Sequence, residues 1–118
     1  EEKNKIELFN KGLEAFQKHD FYDAHEYWED LWSGYRLKDA KFIQGLIQLS
    51  VGYFHISNLN INGARGLLNK CKSKLLEFSP EYRGLNVLNI LKAVDKSLIF
   101  LEQNPDTSKF DWSLVPNL

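Results

Sequence analysis

Apolar residues recur along most of this chain at intervals of three and four, the spacing of helices that bury one stripe. The first such run, about Asn4 to Lys18, sets Ile6, Phe9, Leu13 and Phe16 on one face and Glu7, Lys11, Glu14 and Lys18 on the other. After His19 and Asp20 a second run, about 20–33, carries Phe21, Ala24, Trp28, Leu31 and Trp32. So short a connection predicts an antiparallel hairpin. Asp20 stands where a cap belongs, Asp23 suits the positive end of the helix dipole, and Gly34 can close the helix in the left-handed conformation.

A third run, about Asp39 to Asn58, is apolar nearly all round, which predicts a helix enclosed by its neighbours. After the turn signal Asn62-Gly63, a fourth helix, about Gly63 to Phe78, turns Ala64, Leu67, Leu68, Cys71 and Leu75 inward, and Ser79-Pro80 stops it. A fifth, about Asn86 to Gln103, shows the seam Val87, Leu91, Val94, Leu98 and Leu101. The tail beyond Asn104-Pro105 carries Phe110, Trp112, Leu114 and Val115, apolar enough to dock on the helices or on a second subunit. The fold expected is all-α: a single domain over 1–118, a bundle of about five helices in which two antiparallel hairpins are closed by a C-terminal helix.

Gly12 and Ala24 are matched by Gly52 and Ala64 at a constant offset, small residues at equivalent places in two hairpins. The likeness to tetratricopeptide units is loose, since their period is about 34 and a solenoid needs at least three repeats.

A net charge of −1 gives no general attraction to nucleic acid or to an anionic membrane, so neither is an expected partner. Lys70, Lys72 and Lys74 read as a solvated face. The one cysteine, Cys71, excludes an intrachain disulfide. With no secretory segment at the N-terminus, a reducing, cytoplasmic location is expected. The apolar run from Phe42 to Ile56 is shorter than the roughly 20 residues of a bilayer span.

The exceptions to the apolarity of helix three are ordered. Gln44, Gln48, His55 and Asn58 project within about 40° of one direction, and buried amides or imidazoles without partners cost about 1–3 kcal/mol each. Helix two offers His25, inside its apolar stripe between Phe21, Trp28 and Trp32, and Glu29 at the margin one turn on. Two readings follow. In the first, His25, Glu29 and His55 ligate a divalent metal such as zinc, manganese or iron, with Gln44, Gln48 and Trp32 orienting ligands or substrate, in a site able to support hydrolysis. In the second, the protein is a non-enzymatic interaction module and the same residues form a structural hydrogen-bond network. The second is the commoner fate of such spacing, and Trp32 is then ordinary packing. His-Glu-x-x-Glu at His25 departs from the zinc-protease pattern, and Glu26 points a quarter turn away. Small-molecule ligand, protein partner and homo-oligomerisation stay open.

At these residues the chain resembles a family of small bacterial and archaeal proteins catalogued as domain of unknown function 309. The resemblance rests on His-x-x-x-Glu-x-x-Trp, here His25, Glu29 and Trp32 within Phe-Tyr-Asp-Ala-His-Glu, and continues through 42–49, His55 and Gly63-Ala64. It implies an all-helical fold and a suggested metal-binding role for the histidine and glutamate. Ser33-Gly34 stands where a basic residue often follows the motif tryptophan, and Arg36 comes later.

Overall fold

A computed structural model describes residues 1–118 as five α-helices: α1 (Glu2–Gln17), α2 (Phe21–Gly34), α3 (Ala40–Ser57), α4 (Ile61–Leu75) and α5 (Val87–Gln103). A two-stranded antiparallel hairpin, β1 (Glu81–Tyr82) and β2 (Leu85–Asn86), lies between the last two helices. Each helix packs chiefly on its neighbours in sequence. α3 is the most enclosed, with Phe42, Ile43, Leu46, Leu49, Tyr53 and Ile56 all fully buried, as its nearly unbroken apolarity requires. Its link to α5 is polar: Tyr53 and Ser97 share a buried hydroxyl–hydroxyl hydrogen bond of 2.8 Å. No helix is long and apolar enough to cross a membrane.

Small residues set how closely the helices of each hairpin approach. A Cβ on Gly12 would lie 2.1 Å from Trp28 Nε1, so the indole of α2 rests directly on the backbone of α1. Forty residues later the arrangement repeats, with a Cβ on Gly52 only 2.7 Å from Leu68 Cδ2. Ala24 and Ala64 are fully buried at the equivalent places. The close approach also corrects the inward face of α1. Its buried residues are Phe9, Gly12, Ala15 and Phe16, while Ile6 is 59% exposed, because the face is rotated toward the small side chains.

Side-chain caps fix the later helices. Asn60 Oδ1 accepts from Gly63 N at 3.0 Å, so α4 starts at Ile61 and takes the Asn62-Gly63 turn signal into its first turn. Asn86 Oδ1 does the same for α5 through Asn89 N. Asp20 precedes α2 but makes no such bond, leaving its carboxylate free.

The β1–β2 turn holds Arg83 and Gly84 at φ of 50° and 76°, the left-handed pair that two-residue hairpins favour. Arg83 adopts it while its guanidinium bonds both Asp39 oxygens, at 2.6 and 3.2 Å, and lies 4.8 Å from the Phe9 ring centroid. Burial pushes the Asp39 carboxyl up, but the hydrogen bonds and charge of Arg83 outweigh it and leave the pKa below the ordinary value. The tail folds back on the helices: Thr107, Phe110 and Val115 are buried, and Phe110 lies 6.2 Å from the Tyr53 ring and 5.6 Å from that of Phe100.

Candidate functional site

The buried stripe of α2 runs through Phe21, Ala24, Trp28 and Leu31. Trp32 stands at its edge, 38% exposed rather than enclosed, and His25 is half-buried on the same side. This edge meets the polar line of α3. Between the two helices lies a recess of about 190 Å³ walled by Glu29, Trp32, Gln44, Ile47 and Gln48. The structure thus brings Glu29, Trp32, Gln44 and Gln48 together. Gln48 Oε1 is buried there with no hydrogen-bond partner, a state that costs about 1–3 kcal/mol unless a ligand relieves it. The Glu29 carboxylate is exposed and belongs to none of the ion pairs of the chain.

His25 sits one turn before Glu29 and makes a different bond from the one its spacing suggested. Its Nδ1 lies 2.8 Å from the Tyr22 carbonyl oxygen. A carbonyl can only accept, so Nδ1 donates to it, which leaves Nε2 as the ring nitrogen turned to other partners.

His55 does not join the group. It faces the start of α4, with Nδ1 3.5 Å from Asn60 Nδ2 and Cδ2 2.9 Å from a Cβ built on Gly63. A helical wheel gives direction but not height: His55 lies seven residues beyond Gln48, about 10 Å along the axis at 1.5 Å per residue. No three His, Cys, Asp or Glu side chains converge closely enough to hold one ion, so the expected set His25, Glu29 and His55 does not form. The donors that remain are one carboxylate, amide oxygens and one imidazole. That set does not fit zinc, which takes at least three nitrogen, sulfur or carboxylate ligands. It fits a hard divalent cation that keeps several waters and needs only one or two carboxylates.

A second, larger cavity of about 440 Å³ opens at the start of α2. One wall is the stacked pair Phe21 and Trp112, with centroids 6.0 Å apart, which His19 extends at 5.1 Å from Phe21. Tyr22 and Phe54, with centroids 5.3 Å apart, also line it. Asp20, Asp23 and Ser57 complete it. His19 is exposed in the connection before α2, and the site is not legible in the sequence because Trp112 reaches it only through the folded tail. The signal the sequence does hold is Phe21-Tyr22 set between Asp20 and Asp23.

The model of a family described as a domain of unknown function (DUF309) matches residues 9–67, half of the chain. The match takes in the whole α2–α3 recess and every residue of the larger cavity except Trp112. No curated protein and no solved structure matches the chain.

Proposed function

Because the chain belongs to the family of domain of unknown function 309, a membership that assigns no activity, we propose a function from the recess itself. It binds a hard divalent cation of the magnesium or manganese kind through the Glu29 carboxylate and Gln48 Oε1, and serves hydrolysis. The observation that carries this reading is the orphaned Gln48 oxygen, held beside an unpaired carboxylate. A carboxylate and two glutamine amides line the recess with no cationic side chain among them, an arrangement that can take positive charge. A cation bound there would polarise a substrate oxygen and ease deprotonation of a bound water. The chain's own contribution is to engage Nδ1 of His25 with the Tyr22 carbonyl one turn away, leaving Nε2 to act as the proton acceptor, while Trp32 and Gln44 flank the substrate.

The competing reading, a hydrogen-bond network that only fixes helix packing, would have satisfied Gln48, and it leaves the orphan unexplained.

The test titrates Mn²⁺ into untagged protein by calorimetry, then screens phosphate and carboxylate esters for Mn²⁺-dependent hydrolysis. Wild type should bind one ion, Glu29→Gln should weaken binding at least tenfold, and His25→Ala should keep the ion but lose turnover. If no ion binds and Gln48→Leu raises stability, the recess is a packing feature of a non-enzymatic module and the proposal fails.

A further inference from the structure

The larger cavity at the start of α2 is separate from the cation recess, and its lining has a chemistry of its own. At about 440 Å³ it lies within the usual range of small-molecule sites. The rings of Phe21, Tyr22, Phe54 and Trp112 line it, and a ring face carries partial negative charge. Asp20 and Asp23 add two full negative charges at its edge, neither belonging to an ion pair. No lysine or arginine lines it. The nearest ones, Lys11 and Lys18, share an adjoining depression with the two aspartates, but their ammonium groups are held by Glu7 at 3.1 Å and Glu14 at 3.3 Å.

The side-chain donors in its lining are the hydroxyls of Ser57 and Tyr22, the His19 ring and the Trp112 indole N–H. The Ser57 hydroxyl already donates to the Phe54 carbonyl oxygen at 2.6 Å. A site with several aromatic rings, two carboxylates and no lysine or arginine is matched to an organic cation. We propose that this cavity binds a methylated or quaternary ammonium group, seated among the rings of Phe21, Trp112, Tyr22 and Phe54 with Asp20 and Asp23 balancing its charge.

Choline and its neutral isostere 3,3-dimethylbutan-1-ol separate charge from shape, since the two differ only in nitrogen against carbon at the branched centre. Titration of the full chain with each, followed by calorimetry and by amide shifts, should show choline bound in the low-millimolar range or tighter and at least about tenfold ahead of the isostere. Asp23→Asn should cost several-fold. Tyr22 is 51% exposed, so Tyr22→Ala removes one lining ring without opening the core, and it should abolish binding while the melting temperature holds. Equal binding of the two compounds would reduce the site to an apolar hollow. Failure of choline to bind, or binding of acetate or phosphate in its place, would equally overturn the proposal. None of these outcomes involves the Mn²⁺ titration, so this site and the recess stand or fall separately.

Discussion

Replacing Gly12 with alanine should destabilise this protein, against the ordinary trend for helices. Inside a helix, alanine is favoured over glycine by about 0.8–1.0 kcal/mol. The new Cβ, however, would fall 2.1, 2.4 and 2.5 Å from three atoms of the Trp28 indole. Trp28 is fully buried, and its Nε1–H donates to the Phe9 carbonyl oxygen at 3.2 Å. The ring cannot yield without straining its rotamer or giving up that bond. Overpacking of this kind costs about 1–3 kcal/mol, and a stranded buried donor about 1–3 kcal/mol more. Less the helix gain, the loss is about 1–5 kcal/mol, or roughly 10 °C in melting temperature near the middle of that range for a chain of this length. Gly66→Ala is the internal control: it sits in α4 with nothing within 4 Å of its Cβ position, so it should stabilise by about 0.5–1 kcal/mol. Urea unfolding of both variants measures the two signs directly, provided the denaturant slope matches wild type. A Gly12→Ala protein as stable as its parent would refute the close-approach account of the first hairpin.

Other consequences are accessible to simple measurements. Asp39→Asn should cost about 1 kcal/mol at neutral pH, within the range of partly exposed ion pairs. Because Arg83 lowers the folded pKa of Asp39, this stabilisation is present above the unfolded value near 3.9 and lost as pH falls through the folded one. Wild-type and variant melting curves should therefore converge in acid, and a gap that persists there would contradict the pairing. Tyr53→Phe removes the donor to Ser97, whose own hydroxyl still bonds the Ala93 carbonyl oxygen at 3.0 Å. A loss of about 1 kcal/mol is expected by denaturant unfolding, with the fold retained. Burial raises the Cys71 thiol pKa well above its ordinary value, so Cys71 should resist thiol reagents at pH 8 and react only once the chain is unfolded. Rapid labelling of native protein would show that α4 opens locally.

The features of the fold that could be read from the sequence are those set by local periodicity. The central position of α3 follows from its unbroken apolarity, and the paired contacts at Gly12 and Gly52 follow from the repeated small residues. The meeting of Glu29 with Gln44 and Gln48 was accessible too, since a short connection between α2 and α3 forces their polar edges together. What could not be read depends on height and on distant segments. His55 shares a direction with Gln48 but not a level, and Trp32 and Ile6 sit at stripe margins where a small rotation decides exposure. The β1–β2 hairpin needs two left-handed residues, one of them an arginine whose partner, Asp39, is far away in sequence. The aromatic cavity needs Trp112, and no periodicity connects that residue to Phe21.

The three indoles occupy three different surroundings. Trp28 is sealed in the interior with its N–H engaged, Trp32 stands half in water at the recess, and Trp112 lines the cavity at the start of α2. Emission from the first should be blue and reveal only global unfolding, while each of the others should respond to filling of its own hollow. Single-tryptophan versions of the chain therefore give a label-free optical channel for each site, and the sealed indole supplies the reference trace against which both are read.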